Sequence, residues 1–499
     1  MARLAIVTPL LLAVYPTLFL YSTNMYITPF RVVWAPIITT VVFAALIMVL
    51  VNIPFKNIIK AGLFTSVLLI MFFIHGDLLF VLSRFIMLPR GLLAAIFLVL
   101  LVIYFINLKK QNNDNDLRVR TILFFAVGCT LILISIVFML SFQLSNNMAL
   151  KERSDAYAEI NMQDPAKGPD IFYIIIDGYG RQDILNDLYD YDNSEFLASL
   201  ERRGFYIARE SKANYCQTSL SLASSLNMDY VDAMIADLDR ESYDRRPLMD
   251  LVRDSAVRAI LEEENYYLTS FFTPYSPVDI NNVDNHQKRR LGLNEFSHFL
   301  INKTPLPLLF RDFQYELYRR DILYVLDNNF ESLDHNRPNF VYAHSIPPHP
   351  PFVFDDQGRP LQVNRGFSLA DGSHWGRDMD SYIEGYINHV EFVNTKILEM
   401  VDVILSKSEK PIIIIQSDHG PGSELDWNEA DKTNFKERLS ILNVYYFYDQ
   451  DYDQLYDAIT PVNTFRVIFN QYFGADLELL DDRSYFSTWP RPYVFYDAQ

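Results

Sequence analysis

Five long apolar runs crowd into the first third of the chain, at roughly 4–22, 32–52, 61–83, 91–108 and 121–143. Each matches the ~20 residues that a helix needs to cross the hydrocarbon core of a bilayer. A soluble fold has nowhere to bury five such helices, so residues 1–145 are expected to be a transmembrane domain of five helices. Arg3 precedes the first run as it would in a signal peptide. The run is long, however, and no small-residue cleavage site follows it, so it is read as a span.

Lys and Arg in the short loops set orientation. With the N-terminus in the cytoplasm, the inner side carries Arg3, Lys56, Lys60, Lys109, Lys110, Arg118 and Arg120, and the outer loops carry Arg31, Arg84 and Arg90. Seven against three favours that topology. Five spans then put everything after residue 145 outside the cytoplasm, on an inner or plasma membrane.

Charge divides at the same place. Residues 1–145 hold ten basic and three acidic side chains, a net of +7, and the whole chain carries −18, which leaves the remainder at −25. A phosphate backbone needs a basic footprint, so nucleic acid is excluded as a partner. The two cysteines, Cys129 in the fifth run and Cys216 far beyond it, cannot pair across that divide. The outer domain must therefore rely on its own core.

Residues 146–168 are polar and lack a sustained apolar pattern, which reads as a linker to a globular domain over 169–499. That domain opens with PDIFYIIIDGYG (169–180). A short apolar run bounded by Asp and Gly is the pattern of a strand buried on both faces, as in a parallel sheet. PIIIIQSDHG (411–420) repeats it, and NFVYAHS (339–345) is a weaker third case. Between the last two, Tyr382, Tyr386, His389, Phe392, Val393, Ile397, Met400, Val401 and Ile404 recur at helical spacing, so a long amphipathic helix is expected. Strands alternating with helices predict an α/β domain with a largely parallel central sheet.

In open α/β sheets, ligands bind beyond the carboxyl ends of the strands. Asp177 directly follows one buried strand, and Asp418 and His419 directly follow another, with Gly178 and Gly420 next to them to allow a turn. An Asp after a strand often only starts a turn. Adjacent Asp and His at a strand end have fewer structural uses. Two carboxylates and an imidazole suit a divalent cation such as Zn²⁺ or Mn²⁺. The segment YCQTSLSLASSL (215–226) places hydroxyls at a helix start, with Thr218 or Ser219 as the candidate N-cap. Such a terminus can also receive an anion, and a hydroxyl beside a metal can be ionised and attack phosphorus or sulfur. HSIPPHPPF (344–352) adds His344 and His349 across a proline-stiffened loop. His349 could bind an anion or protonate a leaving group. It could equally be a surface loop histidine.

With these pieces in order, the sequence resembles the sulfatase-like branch of the alkaline phosphatase superfamily. It is most similar to the membrane-anchored lipoteichoic acid synthases, phosphoglycerol transferases and phosphoethanolamine transferases. The likeness covers nearly the whole chain: spans, strand and acid, hydroxyl-bearing helix start, histidine loop, long helix, strand and SDHG. It implies a sulfatase-like extracytoplasmic domain holding one divalent metal, with Asp177, Thr218, Asp418 and His419 as ligands. It implies Thr218 as the nucleophile that becomes phosphorylated, and His349 as a group facing the substrate phosphate. The implied reaction moves a phospho-head group from a membrane phospholipid donor to a glycan or lipid acceptor. A phosphodiesterase of the same fold and a non-catalytic binding module are the alternatives. Cys216 does not begin the C/S-x-P-x-R pattern of true sulfatases, because Thr218 and Leu220 stand at its proline and arginine positions. The chain also departs from the phosphoethanolamine transferases. It lacks their disulfides, and no histidine follows His419. The segment TNFKERLSILNVYY (433–446) stands there, with Asn434, Lys436 and Arg438 as candidate contacts or mere surface charges.

Overall fold

A computed structural model of the protein describes all residues except 87, 88, 147, 148, 151–167, 237, 329, 332, 335, 377, 378 and 499. Most of the expected linker 146–168 thus lies outside the described residues. Within it, Ala149–Leu150 pairs antiparallel with Ile235–Ala236.

The five apolar runs form helices α1 (Ala2–Asn24), α2 (Trp34–Phe55), α3 (Ile58–Ser83), α4 (Arg90–Lys110) and α5 (Asp114–Ser145). All five are long and apolar enough to cross a membrane. Asn57 and Asn113 cap α3 and α5 by accepting main-chain N–H groups of the first turn. Large apolar side chains such as Ile53, Leu98 and Leu133 point outward, as a lipid-facing surface requires.

The chain divides into two compact units. The membrane unit takes Met1–Asn147 and also two excursions from far along the chain, Asn294–Gln314 and Arg365–Ser368. The first of these contains helix α7 (Glu295–Asn302), whose Phe296 and Leu300 pack in one cluster with Ala13, Leu20, Leu69 and Phe73. The division is therefore not the single break near residue 145 that composition suggests.

The other unit is built on a seven-stranded sheet. Its strands are β1 (Asp170–Ile176), β2 (Tyr206–Ile207), β3 (Tyr267–Phe271), β4 (Asn285–Gln287), β5 (Asn339–Ser345), β6 (Pro411–Gln416) and β7 (Asn443–Phe447). In space they run β2-β7-β6-β1-β5-β3-β4. The three strands legible in the sequence are neighbours, parallel and central, with Ile174 aligned to Ala343 on one side and Ile415 on the other. β7 is the one strand that opposes the rest, pairing antiparallel with both β6 and β2. Alternate residues of β1 (Ile171, Tyr173 and Ile175) pack with Leu220, Leu226, Phe465 and Phe469. Leu220 and Leu226 lie on α6 (Thr218–Asn227) and Phe465 and Phe469 on α11 (Pro461–Phe473), with α8 (Pro307–Leu326), α9 (Met379–Lys407) and α10 (Phe435–Leu439) between them in the chain. The whole apolar stripe expected on α9 is buried.

Candidate functional site

Three adjacent parallel strands end at one edge, and the residues that follow them converge there. Asp177 leaves β1, the Asp418–His419 pair leaves β6, and His344 closes β5. Main-chain bonds fix their positions: the Asp177 N–H donates to the Ser345 carbonyl at 3.0 Å, and the Gly178 N–H donates to Asp418 Oδ1 at 3.1 Å. Gly178 takes a positive φ of 75°, which a side chain would strain. Gly420 is needed for a different reason, since a Cβ there would lie 2.1 Å from the Glu437 carbonyl oxygen.

One oxygen of each carboxylate and a ring nitrogen of His419 lie within 4.8 Å of one another, all buried. His419 Nε2 is 3.5 Å from Asp177 Oδ1 and 3.2 Å from Asp418 Oδ2. Both of those carboxylate oxygens are buried with no hydrogen-bond partner among the described residues. Two like charges with unsatisfied oxygens, facing an imidazole, are costly unless a cation joins them. Burial and the Asp418 charge push the Asp177 carboxyl well above the usual carboxylate range. His419 Nδ1–H donates to the Gly420 carbonyl at 2.9 Å, which makes Nε2 the unprotonated nitrogen, its lone pair turned toward the carboxylates, Thr218 and Arg438. Burial, helped by the charges of Arg438 and His349, pushes that imidazole well below its ordinary pKa and keeps it neutral. The donor set therefore fits a divalent metal ion.

Thr218 Oγ1 lies 3.1 Å from His419 Nε2. Thr218 is not the N-cap of α6, and neither is Ser219: Gln217 holds the cap position, and no side chain caps the helix. The Gln217 side chain is occupied elsewhere, accepting from Arg245 and donating to Ser487. The Thr218 hydroxyl is thereby left for the site, at the positive end of the helix dipole. Cys216 sits with its thiol sealed in a cluster with Ala213, Leu425, Trp427 and Leu439, and burial raises its pKa. Both cysteines are free.

His349 stands above the same edge. Its N–H donates to the Asp177 carbonyl at 3.1 Å, its ring centroid lies 6.3 Å from that of His419, and its Nε2 lies 3.8 Å from Asp371 Oδ2. His344 belongs to β5 and not to the proline loop. Its Nδ1 meets the Thr273 hydroxyl at 3.0 Å, and its Nε2 stops 3.5 Å short of Asp177 Oδ2. Burial lowers its pKa to about 4.

Two further residues complete the arrangement. Arg438 is buried, not a surface charge: Nη1 donates to Asp371 Oδ2 at 2.8 Å, Nε donates to the Cys216 carbonyl at 3.0 Å, and Nη2 lies 3.1 Å from His419 Nε2. Asp371 had no signal in the sequence, because it lies in a loop with no motif around it. Burial pushes its carboxyl up, but the His349 and Arg438 charges and the Tyr382 hydroxyl outweigh this and hold it at about 2. Of the other candidates in 433–446, Lys436 is exposed and pairs with Asp183 and Asp187, and Asn434 caps α10.

Helix α9 ties these loops together through polar atoms on its buried stripe. The Tyr382 hydroxyl donates to Asp371 Oδ1 at 2.7 Å and accepts from the Gly422 N–H at 3.0 Å. The Tyr386 hydroxyl donates to the Gly178 carbonyl at 2.8 Å and accepts from the Gly180 N–H at 2.9 Å. His389 Nε2 accepts from the Val353 N–H at 2.8 Å.

A family model described as Sulfatase matches residues 169–467. No curated protein matches the chain. Among solved structures, it is similar to the integral membrane lipooligosaccharide phosphoethanolamine transferase A (EptA) of Neisseria meningitidis, at 13% identity and TM-score 0.39, covering 93% of this chain and 95% of that one. It is also similar to the periplasmic domain of phosphoethanolamine transferase EptC of Campylobacter jejuni, at 12% identity and TM-score 0.39, covering 63% of this chain and 92% of that one. The corresponding Escherichia coli EptC domain gives 9% identity and TM-score 0.41, with 68% and 96% covered.

Proposed function

The chain belongs to the sulfatase family, and on that premise we propose that this enzyme is a membrane-anchored, metal-dependent phosphotransferase that uses Thr218 as its nucleophile. The observation that carries the proposal is the Thr218 hydroxyl, 3.1 Å from His419 Nε2 and beside two buried carboxylates with unpartnered oxygens. Asp177, Asp418, His419 and the Thr218 hydroxyl would hold one divalent cation, Zn²⁺ or Mn²⁺, which supplies Lewis acidity toward the hydroxyl and the phosphoryl oxygens.

In this reading the Thr218 hydroxyl gives up its proton to solvent, Oγ1 attacks the phosphorus of a phospholipid head group, and the bond from phosphorus to the lipid oxygen breaks. The first turn of α6 and the Arg438 guanidinium stabilise the added negative charge. His349 contacts the phosphoryl group and protonates the departing oxygen. An acceptor hydroxyl on an envelope glycan or lipid then takes the phospho-head group, of phosphoglycerol or phosphoethanolamine type, and releases Thr218. The loop charges favour a cytoplasmic N-terminus and an extracytoplasmic catalytic domain.

A sulfate-ester hydrolase using Cys216 is disfavoured, because that thiol is sealed away from the carboxylates. The experiment is turnover of labelled phospholipid by the full chain in membranes, with and without candidate acceptors. Thr218→Ala should lower turnover by at least ~10³-fold, and mass spectrometry of the wild type should trap a phosphorylated peptide containing residue 218. Unchanged turnover in Thr218→Ala sinks the nucleophile assignment. Label found only in water-soluble product would make the enzyme a hydrolase.

A further inference from the structure

The excursion Asn294–Gln314 ends in TPLPLLFRDFQ (304–314), an apolar stretch whose only charges are Arg311 and the exposed Asp312. Its first half is buried: Phe296 and Leu300 pack against residues of α1 and α3. Its second half is the opposite. Leu309 is 81% exposed, Phe310 52% and Phe313 54%, three large apolar side chains within five positions.

The excursion is fixed at a definite level on α3. The Gly76 N–H donates to the Lys303 carbonyl at 2.8 Å. A Cβ on Gly76 would fall 2.1 Å from the Asn302 carbonyl oxygen, so only glycine allows the chain this close. Lys303 Nζ reaches both oxygens of Asp77, at 2.8 and 2.9 Å. Gly76 lies seven residues before Ser83, the last residue of α3, or about 10 Å below the helix end at ~1.5 Å per residue. With the end of α3 at the membrane surface, that level falls near the boundary between head groups and acyl chains. Exposed apolar residues of α3 lie on either side of it, Ile74 below and Phe80 and Val81 above.

We propose that the tip 305–313 is seated at the surface of the lipid bilayer, in the leaflet at the C-terminal end of α3, with Leu309, Phe310 and Phe313 against acyl chains and the charged ends of Arg311 and Asp312 turned to the head groups. The lipid is the occupant favoured here because the tip continues the outward apolar surface of the membrane unit at the depth of its own helices. The Lys303–Asp77 pair holds that depth, in the way that ionisable groups near a membrane boundary pair with one another. The charged end of Arg311 can reach the head groups from such a position.

The test uses the full chain in phospholipid nanodiscs, with Cys129→Ser removing the exposed native thiol. Nitroxide labels at Leu309→Cys and, separately, at Phe313→Cys report collision with oxygen, which enriches in acyl chains, and with a water-soluble nickel chelate. Leu98→Cys on α4, 63% exposed in mid-helix, is the lipid reference, and Glu409→Cys, on the exposed turn before β6, is the water reference. Nickel collision at 309 and 313 should drop to the level of Leu98→Cys, with oxygen collision retained. Nickel collision equal to that of Glu409→Cys overturns the proposal. So does loss of both collisions together, which would mean that protein, such as a second copy of the chain, covers the tip. If Leu309→Cys does not fold, Phe313→Cys carries the same reading alone.

Discussion

The two halves of the candidate site are held in different ways. Asp177, Asp418 and His419 sit where strands end, positioned by the sheet's own main chain, and the two facing carboxylate oxygens have no hydrogen-bond partner among the described residues. His349, Asp371 and Arg438 sit on loops and a short helix, and side-chain bonds satisfy them almost completely. The first half carries surplus negative charge and the second is balanced. The contrast suits a strand-borne half kept open for a cation and a loop-borne half that provides a fixed, closed wall beside it. Local unfolding should therefore cost the second half first, because long-range side-chain bonds and a few loop main-chain bonds hold it where strand pairing holds the first.

Mutations can break that contrast. The largest effect on turnover within the strand-borne half is expected for Asp418→Asn. It should lower turnover by ~10³-fold and abolish stoichiometric metal in the purified protein, while the melting temperature of the metal-free chain holds or rises. The rise follows because one of two facing carboxylates is gone, while the Oδ1 that accepts from Gly178 is kept. A steep fall in melting temperature would show that the pair is structural. Arg438→Met should behave in reverse. It strands a buried Asp371 carboxylate and should cost about 3–5 kcal/mol, read by denaturant unfolding. Adding Asp371→Asn to it should recover part of the loss, and no recovery would refute the pairing as the cause.

Tyr382→Phe removes one hydroxyl that serves two partners and should cost ~1–3 kcal/mol, with metal content unchanged. Loss of metal in that variant would mean that the two halves are not separable. The effect that is smallest at neutral pH is on pH dependence. Burial holds the His389 imidazole at about 3, against ~6.5 in an unfolded chain. The unfolded chain therefore takes up the proton first. The stability is fully present above pH ~6.5 and is lost as pH falls toward 3, by at most ~1.4 kcal/mol per pH unit. His389→Gln should flatten melting temperature against pH in that window, and an unchanged slope would assign it to other groups.

The difference between the halves also decides how much of the site could be read beforehand. A strand buried on both faces leaves a continuous apolar run, so β1 and β6 announce themselves, and the residues after them follow by position alone. Thr218 was visible as a hydroxyl at a helix start. Its freedom from capping was not, because that depends on where Gln217 finds distant partners. Asp371 and Arg438 stand 67 positions apart and meet only in the fold. No spacing rule links them, and Arg438 in FKERL reads as one more charge on a polar helix. The short strands β2 and β4 lacked a long apolar run because they lie at the sheet margins, where burial is less complete, and β3 is buried but carries Thr269 and Ser270 within its run. The membrane helices were plain from length and composition. The return of 294–314 to the membrane unit was not, since its tip is too short to read as a span.

Helix α9 acts as a ruler for the loops above the sheet. Tyr382, Tyr386 and His389 fall four and seven residues along one face, roughly 6 and 10 Å apart along the axis, and each takes a different loop. A single residue inserted between them would turn everything beyond it by about 100° and swing one contact off that face. This stretch of helix keeps all three contacts only at its present spacing, so across variants of the protein its length should be the invariant even where its surface sequence drifts.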